Sequence, residues 1–266
     1  MFDSHCHLHD ARLVADAGEV WARAEAVGVT EALLAGVDPA GWLDEARLCL
    51  AYTGLHASYG IHPQIVALLD DKRLDQMLLA LEGALGEQAP LGVRAVALGE
   101  IGLDGVDERR GSLDLQERAF RAQLQLARRL KLPLSLHILQ AHGRAISVLC
   151  DEGVSESGGV VHSYSGSHEL LRDYLGLGLS VSFAGPVGNP AAKKARKAAE
   201  VVPRERLLVE TDAPDQTPGP HRPQRNEPAF LVANIAALAQ IRGESPAEVA
   251  AYTHANARRL FCPMES

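Results

Sequence analysis

Aromatic side chains are scarce: five Phe, five Tyr and two Trp make up 5% of the 266 residues. So few flat rings offer bases little to stack on, and recognition of a particular nucleic-acid sequence is not supported. Cysteine is sparse too. Cys6, Cys49, Cys150 and Cys262 form no CxxC pair and no dense cluster, which excludes a disulfide scaffold and suits a reducing compartment. Positive charge is in deficit, with 26 Lys and Arg against 34 Asp and Glu and a net charge of −8. No global basic field draws the chain to nucleic acid or to an anionic membrane, so any polyanion has to be held locally. No apolar run approaches the length of a bilayer-spanning helix, and cleavage of a leader would remove the histidine pair near the start. The expectation is a cytoplasmic protein, monomeric and without membrane contact.

What is present is ample core material, 47% hydrophobic, in short β-like runs that alternate with helical periodicity from end to end. Strands are expected near Phe2–His5, Glu31–Ala35, Leu55–Gly60 and Ala95–Gly99. Four more are expected near Leu134–His137, Gly159–His162, Leu179–Phe183 and Leu207–Glu210. Between them the period lengthens. Leu115, Ala119, Leu126 and Leu130 fall near one helical face, with Asp114 and Glu117 as a capping box. Ser245-Pro246-Ala247-Glu248 fits such a box better, with Pro in the first helical position. Eight strands alternating with helices predict an α/β protein, a single (β/α)8 TIM barrel spanning residues 1–266. The Pro-rich loop Asp212–Glu227 is expected to lie over its mouth.

Several of these strands run into a metal-capable side chain. His5 and His7 alternate across Cys6, so an extended strand puts both imidazoles on one face and the thiol on the other. Ala95–Gly99 leads to Glu100, Leu134–Leu136 to His137, Gly159–Val161 to His162, and Leu207–Val209 through Glu210 to Asp212. In a barrel these ends gather at the C-terminal face, where active sites lie. Four imidazoles and two carboxylates exceed what one tetrahedral ion with an open position needs. Two divalent ions fit the count: His5, His7 and Asp212 on one, His137 and His162 on the other, Glu100 between. Such a pair polarises a phosphoryl or carbonyl oxygen and activates a bridging water, with Asp212 placed to take its proton. His62, in Gly60-Ile61-His62-Pro63, is a candidate contact to a substrate phosphate, and Glu210 either orients a ligand or pairs with an arginine. Lys193-Lys194-Ala195-Arg196-Lys197 is the densest basic cluster, a solvated helix face or a contact to a phosphate backbone. His-rich ligation favours Zn²⁺ or Mn²⁺ over Mg²⁺.

These segments resemble the TatD family of metal-dependent hydrolases, whose characterised members are deoxyribonucleases. The likeness is carried by Asp3-Ser-His-Cys-His-Leu8, Tyr59-Gly-Ile-His-Pro63, Gly99-Glu-Ile-Gly-Leu-Asp104 and His162-Ser-Tyr-Ser-Gly166. It continues in Glu210-Thr-Asp-Ala-Pro214, Arg225-Asn-Glu-Pro228 and Thr253-His-Ala-Asn-Ala-Arg-Arg-Leu-Phe261, so it runs nearly the whole length. The resemblance implies a barrel of the amidohydrolase-like type, phosphodiester hydrolysis at a two-metal centre, and the same ligands: His5, His7, Glu100, His137, His162 and Asp212. Three departures stand out. Leu139 occupies a position, two after His137, where the family commonly has a basic residue. Tyr164 replaces a usual Phe, and Asp215 stands where Tyr is common, which makes the mouth more acidic.

The expected activity is that of a divalent-metal-dependent deoxyribonuclease acting on DNA or a small phosphodiester, with Glu100 and Asp212 as catalytic groups and His62 and Arg225 as substrate contacts. The alternative is an amidohydrolase-type enzyme cleaving an amide, ester or aminoacyl bond at the same site. Such enzymes often bridge their metals with a modified lysine at the end of strand four, where this chain has Glu100. A metal-binding scaffold without activity is a third reading, disfavoured by the full ligand set.

Overall fold

A computed structural model describes residues 1–262. Eight strands form one parallel sheet in sequential order: β1 (Phe2–Cys6), β2 (Glu31–Ala35), β3 (Leu55–Tyr59), β4 (Ala97–Asp104), β5 (Leu134–Leu139), β6 (Gly159–Val161), β7 (Ser180–Phe183) and β8 (Leu207–Val209). The connections carry α1 (Ala17–Ala26), α2 (Pro39–Ala51), α3 (Pro63–Val66), α4 (Asp71–Leu85), α5 (Leu113–Leu130), α6 (His142–Glu152), α7 (His168–Gly176) and α8 (Lys193–Val201). After β8 come α9 (Leu231–Arg242) and α10 (Pro246–Phe261). This is the (β/α)8 barrel the sequence predicts. With helices outside and side chains filling the ring, strands are buried on both faces, which is why they read as apolar runs rather than alternating ones.

The ring closes between β8 and β1 through contacts that also position the site. The Ser4 hydroxyl donates to the Val209 carbonyl (3.0 Å), the Asp212 N–H to the His5 carbonyl (2.9 Å), and the His7 N–H to the Ala213 carbonyl (2.7 Å). At the opposite end Phe2, Leu33, Ala97, Val160 and Leu208 pack with Ala257 and Phe261 of α10, so the last helix plugs the barrel floor.

Register shifts interrupt two strands, between Asp3 and Cys6 in β1 and between Leu98 and Ile101 in β4. Both intervals contain an expected metal ligand, His5 and Glu100, and an irregularity of this kind re-aims a side chain locally. The β4 interval also corrects the expected boundary. The strand does not stop at Gly99 but continues to Asp104, so Glu100 lies within it. Gly99 and Gly102 sit where a Cβ would collide with Ser135 and with the His137 carbonyl, so close approach of β5, rather than a loop, requires those glycines.

Helix ends show one agreement and one correction. Ser245 and Glu248 form the reciprocal capping box that starts α10, with Pro246 in the first position. Asp114 is not a cap: α5 begins at Leu113 after Ser112, and Asp114 instead pairs with Arg144. The buried face of α5 also includes two glutamines. Gln116 accepts from the Asp104 N–H (2.8 Å) and donates to the Asp104 carbonyl (3.1 Å), and Gln123 does the same for Ile61 (2.8 and 3.2 Å). These amides satisfy backbone groups where the strands run out, and so fix the ends that carry Asp104 and His62.

Candidate metal centre

Glu100 is buried at the centre of the mouth, and its two oxygens face different histidines. Oε2 lies 3.2 Å from Nε2 of His5 and 3.6 Å from Nε2 of His7. Oε1 lies 2.7 Å from Nε2 of His162, 2.9 Å from Nδ1 of His137 and 3.2 Å from Nε2 of His62. Asp212 Oδ1 joins the first group, 3.8 Å from His5 and 3.4 Å from His7. Residues within β4 and β5 and at the ends of β1, β6 and β8 thus converge.

The far side of each ring decides what the near side can do. His7 Nδ1 lies 3.0 Å from the Ala35 carbonyl, which can only accept, so Nδ1 carries a proton and, in the neutral ring, Nε2 turns a lone pair toward two carboxylates. Lone pairs facing carboxylate oxygens want a cation between them. His5 Nδ1 meets the Ser135 hydroxyl at 3.2 Å, and its buried Nε2 has no hydrogen-bond partner. His137 Nε2 lies 3.5 Å from Asp104, and His162 Nδ1 lies 3.4 Å from Glu210, carboxylates that orient the two rings as outer partners commonly orient metal-binding histidines. Glu210 pairs with no arginine among the described residues; it also accepts from the Ser163 N–H and the Ser182 hydroxyl.

His62 is different. Its Nδ1 accepts from the Gln64 N–H at the start of α3 (3.0 Å), so in the neutral ring the proton sits on Nε2, which donates to Glu100. Although His62, Glu100 and His137 lie close enough to surround an ion, His62 has no lone pair to give it. Burial pushes its imidazole down to about 4, against the pull of Glu100, which keeps this neutral form. Burial alone would raise the carboxyls of Glu100 and Asp212. Surrounding histidines outweigh it, holding Glu100 well below its usual range and Asp212 at about 2. Both are acceptors ready for cations. Backbone strain gathers here too, with Ser163, Asp212 and Gln216 in the left-handed region at φ 45°, 57° and 55°.

A cavity of about 980 Å³ opens above these groups. His7, His62, Glu100, His137, His162 and Asp212 line it, and Leu139 contributes an apolar side chain. Arg225 does not line it. Its guanidinium pairs with Asp16 (2.6 Å) and with the Arg12 carbonyl, while Asn226 holds the carbonyls of Thr211 and Asp215 and Glu227 pairs with Arg23 (2.7 Å). The Arg225-Asn-Glu segment is thus a clamp between the β8 loop and α1. The arginine that reaches the cavity is Arg12, held between Asp10 (2.9 Å) and Asp215 (2.8 Å). Sequence reasoning missed Arg12, Ser135, Gln64 and Asp104. Only Asp104 carried a signal, as the last residue of a family-like segment. Cys6, Trp21 and Trp42 are core, and the His9 ring lies beside Glu45 (3.5 Å) rather than beside the carboxylates of the centre.

A parallel barrel whose strand ends bring imidazoles and carboxylates together in one open cavity is the build of a metal-dependent hydrolase. The chain belongs to the TatD related DNase family, whose profile matches residues 2–262. It is 32% identical over 261 residues to the uncharacterised metal-dependent hydrolase YabD of Bacillus subtilis, covering 98% of each chain. It is 35% identical over 269 residues to the 3'-5' ssDNA/RNA exonuclease TatD of Citrobacter rodentium, covering 98% of this chain and 97% of that one. Its structure matches that of YJJV, a TatD homologue from Escherichia coli, with a TM-score of 0.87 at 30% identity, covering 98% and 97% of the two chains. No described helix is long and apolar enough to cross a membrane.

Proposed function

We propose that this chain is a nuclease that hydrolyses phosphodiester bonds of single-stranded DNA or RNA at a centre of two divalent ions. The single observation that carries this reading is the division of Glu100, with Oε2 toward His5 and His7 and Oε1 toward His137 and His162. A carboxylate so placed would serve two ions and offset their repulsion. His5, His7 and Asp212 would hold one ion, His137 and His162 the other. Imidazole-rich ligation favours Zn²⁺ or Mn²⁺ over Mg²⁺.

When bound, the ions supply Lewis acidity toward the phosphoryl oxygens and lower the pKa of a coordinated water. The chain supplies the rest. Asp212, whose Oδ2 accepts from Gln216, is fixed at the cavity wall to accept the water's proton. His62 presents its Nε2 proton to the cavity, where it can turn from Glu100 to a non-bridging phosphate oxygen. Arg225, held by Asp16, steadies the loop that carries Asp212. All donors come from one chain, so a monomer suffices, and four free cysteines fit a cytoplasmic setting.

The test is metal-reconstituted protein assayed against single- and double-stranded DNA, RNA, small phosphodiesters, amides and esters. Cleavage of single strands with two ions bound supports the proposal. Turnover of an amide or ester with no phosphodiester cleavage rejects it.

A further inference from the structure

Among the described residues three cations other than histidine reach the cavity: Arg12, Lys193 and Lys194. They differ in what already holds them. Arg12 meets Asp10 through Nε and Nη2 and Asp215 through Nη1 and Nη2, all within 2.9 Å, so its charge is matched twice over. Lys193 and Lys194 are exposed and form no ion pair among the described residues. Their neighbours are engaged: Arg196 donates to the Val187 carbonyl (3.1 Å) and Lys197 pairs with Glu200 (3.0 Å). In a chain of net charge −8, two unmatched ammonium groups on the wall of the catalytic cavity are the exception to be explained.

The two lysines also stand where helix chemistry disfavours them. α8 starts at Lys193 and has no acidic residue in its first turn, so both charges sit at the positive end of the helix dipole. A local rule broken at a cavity wall points to a functional position, and an anion in the cavity relieves the repulsion. The loop that leaves β7 brings Phe183, Ala184, Pro186 and Val187 to the same cavity. These side chains offer no donor to a phosphate, but they provide an apolar surface for a sugar or a base.

We propose that Lys193 and Lys194 form a second phosphate subsite, which binds the phosphodiester neighbouring the one held at Glu100 and the histidines. This rests on the phosphodiester reading above. A strand engages both subsites at once, whereas a substrate with one phosphate engages either alone. The lysines therefore select strands over single diesters. A released mononucleotide, no longer linked to the second phosphate, is held less tightly than the strand it left.

The experiment compares the wild type with Lys193→Ala/Lys194→Ala and Lys193→Glu/Lys194→Glu. Each protein is given a single-stranded thymidine oligonucleotide and bis(p-nitrophenyl) phosphate, which has one phosphate. The ratio of kcat/KM for the oligonucleotide over that for the small diester should fall by about tenfold with alanine, mainly through KM, and further with glutamate. The slope of log KM against log salt should fall by about 0.7, the contribution of the one single-strand phosphate that the second subsite holds. An unchanged ratio overturns the proposal, and so does an equal loss on both substrates. Fluorescence anisotropy with a labelled oligonucleotide, in chelator, supplies a readout apart from turnover. If the wild type cleaves neither substrate, the phosphodiester reading fails, and the subsite then stands only if the lysine variants lose oligonucleotide binding.

Discussion

The backbone N–H of Gln64 points at Nδ1 of His62 across 3.0 Å, and this one contact separates His62 from the four histidines around it. An imidazole that accepts at Nδ1 holds its proton at Nε2 and is a donor toward the cavity, not a ligand. His62→Ala should therefore leave metal stoichiometry intact while lowering kcat by about 10²-fold, the usual loss when one donor to developing charge is removed. His7→Ala should lose metal instead. Elemental analysis beside steady-state kinetics checks both, and loss of an ion in His62→Ala would place it among the ligands after all.

Glu100→Gln should cost more activity than alanine at any one histidine. Outer partners of metal ligands cost about 10–100-fold when changed, and a residue that touches both ions should exceed that range. A neutral amide neither offsets the charge of two ions nor offers two equivalent oxygens. Kinetics and bound metal measured on the same preparations decide the matter. Two ions retained with near-normal turnover would rule out a bridge.

The parts of this architecture legible in the sequence were those where one residue type answers one local demand. Strands buried on both faces announce themselves as apolar runs, and a histidine or carboxylate ending such a run had to lie at the barrel mouth. Ser245 and Glu248 were readable because a capping box is a four-residue matter. β4 was cut short because Gly99 and Gly102 look like loop residues, whereas they are there to let β5 come close. Arg225 and Arg12 could not be told apart in sequence. Which one reaches the cavity depends on Asp16 capturing the former and on Asp215 joining the nearby Asp10 to hold the latter, and the Asp16 and Asp215 contacts are made across about two hundred residues. The roles of Gln116 and Gln123 are not legible, since nothing local shows that their amides meet strand ends.

Glu45 offers a prediction about pH and stability. It is fully buried on α2, neither carboxyl oxygen has a hydrogen-bond partner, and desolvation raises it well above 4.5, with Asp38 adding to the effect. Between 4.5 and its folded value the native state keeps a proton that the unfolded state gives up. Stability should therefore decline as pH rises through that window, by roughly 1.4 kcal/mol per unit for a single group. Glu45→Gln removes the titration and should be more stable than the wild type, with a gap that widens from pH 5 to pH 8. His9, which burial lowers to about 3, contributes with the opposite sign, and because it lies 3.5 Å from Glu45 a His9→Gln background separates its share. Urea denaturation at the two pH values measures the gap; a constant one would show that Glu45 is not protonated in the fold.

The acidic rim should restrain binding of a polyanion, and Asp215 is where that restraint can be removed. Its carboxylate takes two donors of Arg12 at 2.9 and 2.8 Å and adds a negative charge beside the cavity. Asp215→Asn should lower KM for a single-stranded oligonucleotide by about three- to tenfold. Part of this comes from the lost repulsion. The rest comes from Arg12, which Asp10 still orients but no longer shares, and which can then meet a phosphate. One added phosphate contact should steepen the salt dependence by about 0.7. Adding Arg12→Ala to Asp215→Asn separates the two contributions, because a direct contact by Arg12 makes the pair non-additive. If KM falls equally with and without Arg12, only the field has changed. If it does not fall at all, the rim plays no part in holding the strand.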